Sequence, residues 1–232
     1  MKNNFNLGYA CINTELRSKK IFTSRTCRLA TLEKKGLQYI KGLALTNLQD
    51  LLKILQWNKE NGISFMRLSS DIFPFASHKT HGYKIDFADD ILQEIGDYVN
   101  DNNMRVTFHP SQYNVLSSPN SIVIENTMLD LNHHANILDK MGMGPNSVVV
   151  IHGGGVYNNK NEAKARLKQN LLKLPKSTRD RIVLENCEIS YCIDDLLEIS
   201  QELQIPIVID THHDDIYNSK NPVDYYFDKI FQ

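Results

Sequence analysis

Nowhere in this 232-residue chain do about 18 consecutive apolar residues occur, so no segment is expected to cross a bilayer as a helix. The opening Met1-Lys2-Asn3-Asn4-Phe5 lacks the apolar h-region of a secretion signal, so the expectation is a soluble, intracellular protein that is not secreted and has no membrane partner. Cysteine is scarce, and Cys11, Cys27, Cys187 and Cys192 form no Cys-x-x-Cys pair. That spacing excludes a zinc ribbon and a thioredoxin-like redox site and leaves reduced thiols.

Also absent are a Walker A loop, a dinucleotide fingerprint and a Gly-x-Ser-x-Gly nucleophile elbow. Without the elbow, His152-Gly153-Gly154-Gly155, although similar to the oxyanion loop of lipases and esterases, does not make an acyl hydrolase. No linker, low-complexity tract or close repeat interrupts the chain, and 41% hydrophobic residues are ample for one core. A single domain over residues 1–232 is expected.

The net charge of -1 does not announce a binder of polyanions, yet its distribution is uneven. Arg17, Lys19, Lys20, Arg25, Arg28, Lys34, Lys35 and Lys41 stand against Glu33 alone in one stretch. Such a surplus either neutralises several phosphates or forms a solvated basic surface, and composition does not choose between them.

What the chain does repeat is an alternation of short apolar β-type runs with helical periodicity, the signature of βα units. Strands are expected at 6–12, 64–68, 105–108, 147–151, 181–184 and 207–209. A long basic loop follows the first strand, and Thr46 then caps a helix that buries Leu48, Leu51, Leu52 and Leu55 and ends near Gly62. Further helices are expected at 87–102, burying Ile91, Ile95 and Val99, and at 121–141, 162–172, 193–203 and 224–231. Residues 69–84 read as an extended loop of functional length. Since eight units close a TIM-type barrel, this pattern predicts an α/β fold, a (β/α) barrel lacking its last one or two βα units and so C-terminally short.

Four of these strands end on metal-type ligands: His109, His152, Glu185 and Asp210, with His213 three residues beyond Asp210. Parallel strands gather their C-terminal ends at one rim, where barrels of this type build active sites. Imidazole with carboxylate suits Zn, Mn or Fe(II). Glu185, an acid next to an apolar strand, needs a compensating partner, and a carboxylate can bridge two cations. Gly153 to Gly155 then let backbone and a substrate phosphate approach the metal closely. His133 and His134 share a helical pattern with Leu131 and Leu138 and are read as packing or surface residues.

Beyond His109 come a rigid Pro110, Ser111, the amide of Gln112 and the ring of Tyr113. Tyr113 alone reads as a loop anchor. Beside a metal site and a basic stretch, the better reading is an aromatic that stacks on or wedges beside an unpaired base.

The segments Leu7-Gly8-Tyr9, Arg67-Leu68-Ser69-Ser70-Asp71, Phe73-Pro74-Phe75-Ala76-Ser77-His78, Thr107-Phe108-His109-Pro110, Val150 to Tyr157 and Leu184-Glu185-Asn186 resemble the UV damage endonucleases. The resemblance runs from about Leu7 to His213 and implies a TIM barrel related to the endonuclease IV type of abasic-site nuclease. It implies that His109, His152, Glu185, Asp210 and His213 fall on metal-ligand positions, and His78 on an active-site histidine. Tyr9, Gln112 and Tyr113 fall on lesion-probing positions, with Asn13 beside them. Two or three divalent ions are implied, Mn before Zn, Co or Mg, with damaged double-stranded DNA as partner and a monomer as the acting form. The departure is C-terminal: the family's further strands bring ligands that nothing after His213 replaces, and Asp214, Asp215, Asp224 and Asp228 qualify by residue type alone.

The expected activity is a nick immediately 5′ to pyrimidine dimers and 6-4 photoproducts by metal-activated hydroxide, leaving 3′-hydroxyl and 5′-phosphate ends. Glu185, His109, His152 and His78 would be the catalytic residues. The alternatives are a shortened family member that binds damaged DNA without cutting, an abasic-site endonuclease, and a metal-dependent sugar isomerase on the same barrel.

Overall fold

The computed structural model describes residues 7–230, so the expected strand start at Asn6 and helix end at Phe231 lie outside the described residues. Two compact units are present: residues 7–109 with Asn136–Ser147, and Pro110–Ala135 with residues 148–230.

In the first unit, β1 (Gly8–Ala10), β2 (Phe65–Leu68) and β3 (Arg105–Phe108) run parallel, with Tyr9 opposite Met66 and Met66 opposite Val106. The basic stretch is not one long loop. It contains α1 (Thr14–Ser18) and α2 (Leu29–Lys35), and α3 runs from Leu37 to Glu60. Thr46 therefore caps nothing; its hydroxyl donates to the Gly42 carbonyl one turn back, at 2.9 Å. Gly36, at φ 76°, separates α2 from α3, a left-handed backbone that glycine adopts without strain.

The early turns of α3 were hidden because their buried stripe is thin and partly polar. Ile40, Ala44, Asn47, Leu48 and Leu51 are buried at helical spacing, between Lys41, Gly42 and Gln49. Asn47 earns its place there: its amide donates to the carbonyls of Arg25 and Ile72 and accepts from Arg25 N–H at 3.0 Å. Buried Asp50 holds the Arg25 guanidinium at 2.7 Å and Lys53 at 2.9 Å. The basic segment is thus tied down on α3, and Arg25 is neutralised by the protein itself.

The segment 69–84 is a compact loop containing a 3-10 turn, Ser70–Ile72, and closed by the Tyr83 hydroxyl on the Pro74 carbonyl at 2.9 Å. After it, α4 (Asp89–Asp101) buries Leu92, Ile95 and Val99; Leu92 replaces the expected Ile91. Then α5 (Ser121–Lys140) begins in the second unit and ends in the first. His134 is buried on it with its ring Nδ1 2.8 Å from the Asp130 carbonyl, a packing role as expected.

In the second unit β4 (Val149–His152), β5 (Ile182–Glu185) and β6 (Ile207–Val208) run parallel. Both faces of β4 and β5 are covered, which is why they read as unbroken apolar runs. Around them lie α6 (Lys160–Lys173), α7 (Lys176–Arg179), α8 (Ile193–Leu203), α9 (Thr211–Ile216) and α10 (Val223–Ile230). A ladder of ion pairs joins α6 to α8: Lys160 to Asp195, Lys164 to Glu198 and Lys168 to Glu202, each at 2.5 to 2.6 Å.

The six strands follow chain order and alternate with helices, the arrangement of a TIM-type (β/α) fold. Among the described residues no helix is long and apolar enough to cross a membrane.

Candidate metal centre

His152 and Glu185 are the last residues of β4 and β5 and are partners in the parallel register. Being level, their side chains leave the same face of the sheet together. His152 Nε2 lies 3.4 Å from Glu185 Oε2, and the carboxylate is on a residue only 8% exposed. That distance is long for a hydrogen bond. Two atoms each about 2.1 Å from one tetrahedral ion are separated by about 3.4 Å. His109 directly follows β3 in the first unit. An imidazole with a buried carboxylate is a donor set that fits a divalent transition ion.

The second pair of strand-end residues is placed by β5 and α9. Asp210 is the N-cap of α9, its Oδ1 accepting from the N–H groups of His212 and His213 at 2.9 and 3.0 Å. The turn so formed carries the His213 ring back, where its Nδ1 lies 2.9 Å from the Asn186 carbonyl. A carbonyl only accepts, so Nδ1 carries a proton, and in the neutral ring Nε2 presents a lone pair. The His213 and His152 rings lie 5.4 Å apart between centroids.

Asn186 has a positioning role that its sequence context does not by itself reveal. Buried just past β5, its side chain donates to the Asp210 carbonyl at 2.9 Å and accepts from Asp210 N–H at 2.8 Å, extending the strand pairing beyond the end of β6. An uncharged polar residue directly after a ligand-bearing strand was the available signal. Glu188, with Oε2 3.7 Å from His213 Nε2, had none.

Glycine after His152 is required by packing. A Cβ at Gly153 would meet the buried Tyr191 ring at 2.7 Å, and one at Gly154, where φ is +87°, would meet Ser117 Oγ at 2.5 Å. Burial pushes the Tyr191 phenol up to about 12, so it remains a neutral wall. A cleft of about 250 Å³ opens here, with His152 and Gly154 on one side, Gln112 and Val115 on another, and Ile189 on the β5–α8 loop.

The loop bearing Gln112 and Tyr113 is anchored at its base. Asn114 donates to Asp130 Oδ2 at 2.9 Å, Arg166 of α6 donates to the Ser117 carbonyl and Asn170 to the Leu116 carbonyl, both at 2.8 Å, and Ser117 Oγ donates to the Gly155 carbonyl at 3.0 Å. Tyr113 itself is 79% exposed. It anchors nothing.

Tyr9 and Asn13 are committed to the protein. The Tyr9 hydroxyl donates to Asn58 Oδ1 at 2.7 Å and accepts from Asn13 Nδ2 at 3.1 Å, while Asn13 Oδ1 caps α1 through Leu16 N–H. Burial raises the Tyr9 phenol above its usual range, against those two hydrogen bonds. Asn13 is itself buried. His78 lies exposed in the 69–84 loop, its Nδ1 accepting from Thr80 and His81 N–H at 3.1 and 3.2 Å. With Nδ1 so used, the neutral ring carries its proton on Nε2 as a donor.

The profile of the family described as "UV-endonuclease UvdE" matches residues 5–231. The chain is 44% identical over 216 residues to the UV-damage endonuclease of Schizosaccharomyces pombe, covering 90% of this chain and 36% of that protein. It is 38% identical over 227 residues to the putative UV-damage endonuclease of Acanthamoeba polyphaga mimivirus, covering 96% of this chain and 69% of that protein. The chain therefore spans between about a third and two thirds of the length of these curated relatives. Among solved structures, SacUVDE superposes with a TM-score of 0.90 at 31% identity, over 98% of this chain and 76% of that one. D-psicose 3-epimerase from Clostridium cellulolyticum H10, at a TM-score of 0.52 and 16% identity over 74% of this chain and 62% of that one, shares the fold alone. Profile, sequence and structure agree with the quoted motifs on one assignment: the chain belongs to the UV-endonuclease UvdE family.

Proposed function

We propose that residues 1–232 act as one catalytic domain of an intracellular DNA repair endonuclease, which nicks damaged double-stranded DNA immediately 5′ to pyrimidine dimers and 6-4 photoproducts. The observation that carries this reading is the level pairing of His152 with Glu185 at 3.4 Å, in a chain whose family relatives are named UV-damage endonucleases. His109, His152 and Glu185 would hold one divalent ion, and Asp210 and His213 would help to hold a second, with manganese the first choice. When bound, such ions supply an acidified water and positive charge opposite the phosphate.

The chain's own residues provide the rest. Glu185, buried and acceptor-only, fixes the position of the positive charge. Exposed Tyr113 and Gln112 enter the duplex where damage has lowered the cost of unstacking, and the anchored loop beneath them keeps the probe from yielding. Tyr9, held by Asn13 and Asn58, is a further lesion probe, and His78 offers its Nε2–H to the phosphate or leaving group. The products are 3′-hydroxyl and 5′-phosphate ends, and the acting form is a monomer.

The test is incision of a duplex carrying a single cyclobutane dimer, with Mn²⁺ present. Folded protein that binds this duplex without nicking it would move the chain to a damage-binding role. A preference for abasic sites would move it to that class of nuclease. A small sugar substrate has only the shared fold in its favour, and Tyr113 in solvent has no use in such a reaction.

A further inference from the structure

The three residues after Glu185 place a carboxylate where the described donors do not require one. Glu188 lies on the β5–α8 loop with Oε2 3.7 Å from His213 Nε2. His213 has its Nδ1 proton on the Asn186 carbonyl at 2.9 Å, so in the neutral ring the atom facing Glu188 is a lone-pair nitrogen. A carboxylate oxygen and an imidazole lone pair are both acceptors, and at this distance they repel unless a proton, a water donating to both or a cation lies between them. A water with two hydrogen bonds of about 2.8 Å holds its acceptors about 4.5 Å apart, so a proton on Nε2 and a divalent cation are what the distance admits.

Three features favour the cation. The separation is too long for a charge-assisted hydrogen bond, which closes to about 2.7–2.9 Å. It matches two ligand atoms at about 2.1 Å from a shared ion with an angle opened somewhat beyond tetrahedral. The ring is also held at Nδ1 by a main-chain carbonyl of a buried residue, the outer hydrogen bond that orients metal-ligating histidines.

We infer that Glu188 is a further ligand of this chain, sharing with His213 Nε2 one divalent cation. This rests on the reading that His213 ligates a metal. It adds to that reading a carboxylate from the loop that also lines the cleft, and so couples the position of the β5–α8 loop to metal occupancy.

The test uses the full chain stripped of metal and titrated with Mn²⁺ alone, following free Mn²⁺ by electron paramagnetic resonance. Glu188→Gln is expected to weaken one Mn²⁺ site by tenfold or more, the range seen when partners of a metal site are removed, about 10–100-fold. His213→Gln should weaken the same site, and the double variant should be no worse than the weaker single one. In the wild type, zinc should move the His213 Nε2 nitrogen-15 resonance and leave Nδ1–H in place. Wild-type affinity in Glu188→Gln, or an Nε2 already protonated in the stripped protein at neutral pH and unmoved by zinc, overturns the inference while leaving the other ligands standing. Absence of any Mn²⁺ binding by the folded wild type overturns the metal reading itself.

Discussion

Asn186 and Asp210 are joined by two reciprocal hydrogen bonds, at 2.9 and 2.8 Å, between the side-chain amide of one and the backbone of the other. One amide thereby continues the sheet where β6 has ended and sets the start of α9, from which His213 reaches back to the Asn186 carbonyl.

Replacing that amide should therefore damage metal binding as well as folding. Asn186→Ala strands a backbone donor and acceptor, at a cost of about 1–3 kcal/mol in urea unfolding. Mn²⁺ affinity should fall about 10–100-fold. Asn186→Asp, which keeps one of the two bonds, should recover part of both losses. Equal Mn²⁺ affinity in all three proteins would show that Asp210 and His213 find their places without it.

Tyr113 offers the opposite separation. Because its ring is exposed, Tyr113→Ala should leave the unfolding free energy within about 0.5 kcal/mol of wild type. Affinity for a dimer-containing duplex should weaken by about 1–3 kcal/mol, the worth of stacking one base on an aromatic ring. Affinity for undamaged duplex should hardly move, and a parallel loss on both duplexes would count against a lesion probe.

The glycines after His152 should tolerate no side chain. Gly153→Ala drives a methyl into the Tyr191 ring, and Gly154→Ala adds backbone strain at φ +87° to a collision with Ser117 Oγ. Each is expected to cost about 1–3 kcal/mol. Thermal unfolding of the two variants beside Gly144→Ala, where a Cβ meets nothing within 4 Å, gives the comparison.

Acid stability should depend on the ion-pair ladder. Partial burial works to raise the Asp195 carboxyl, but the Lys160 ammonium 2.5 Å away and the Cys192 groups outweigh it and hold the carboxyl below its ordinary 3.8. A depressed folded pKa contributes stability that is present above the unfolded value and is lost as pH falls through the folded one. The wild type should lose this contribution below about pH 4. In Lys160→Met only the Cys192 groups and the more distant Lys164 remain to oppose burial, so that part of the acid loss should shrink. Urea midpoints taken across the acid range for both proteins will show whether the slopes differ.

The expectations from sequence were sound where local pattern and chemistry coincide. The strands around Val106, Val150, Val183 and Ile207 are short apolar runs that only a covered parallel sheet accommodates, and the charged or imidazole residue at each end marks the rim. That much follows from side-chain hydrophobicity along a few consecutive residues, and with it the fold class, whereas the level pairing of His152 with Glu185 came from the strand register. The long reach of α3 did not follow, because its buried stripe includes Asn47 and Asp50, whose burial makes sense only once Arg25 has folded back onto them. The same holds for Asn13 and Asn186, polar residues whose partners lie in space rather than in sequence. Sequence alone determined which residues are candidates for the chemistry. Tertiary structure alone decided which polar groups are satisfied internally, because hydrogen-bond satisfaction depends on neighbours brought together by folding.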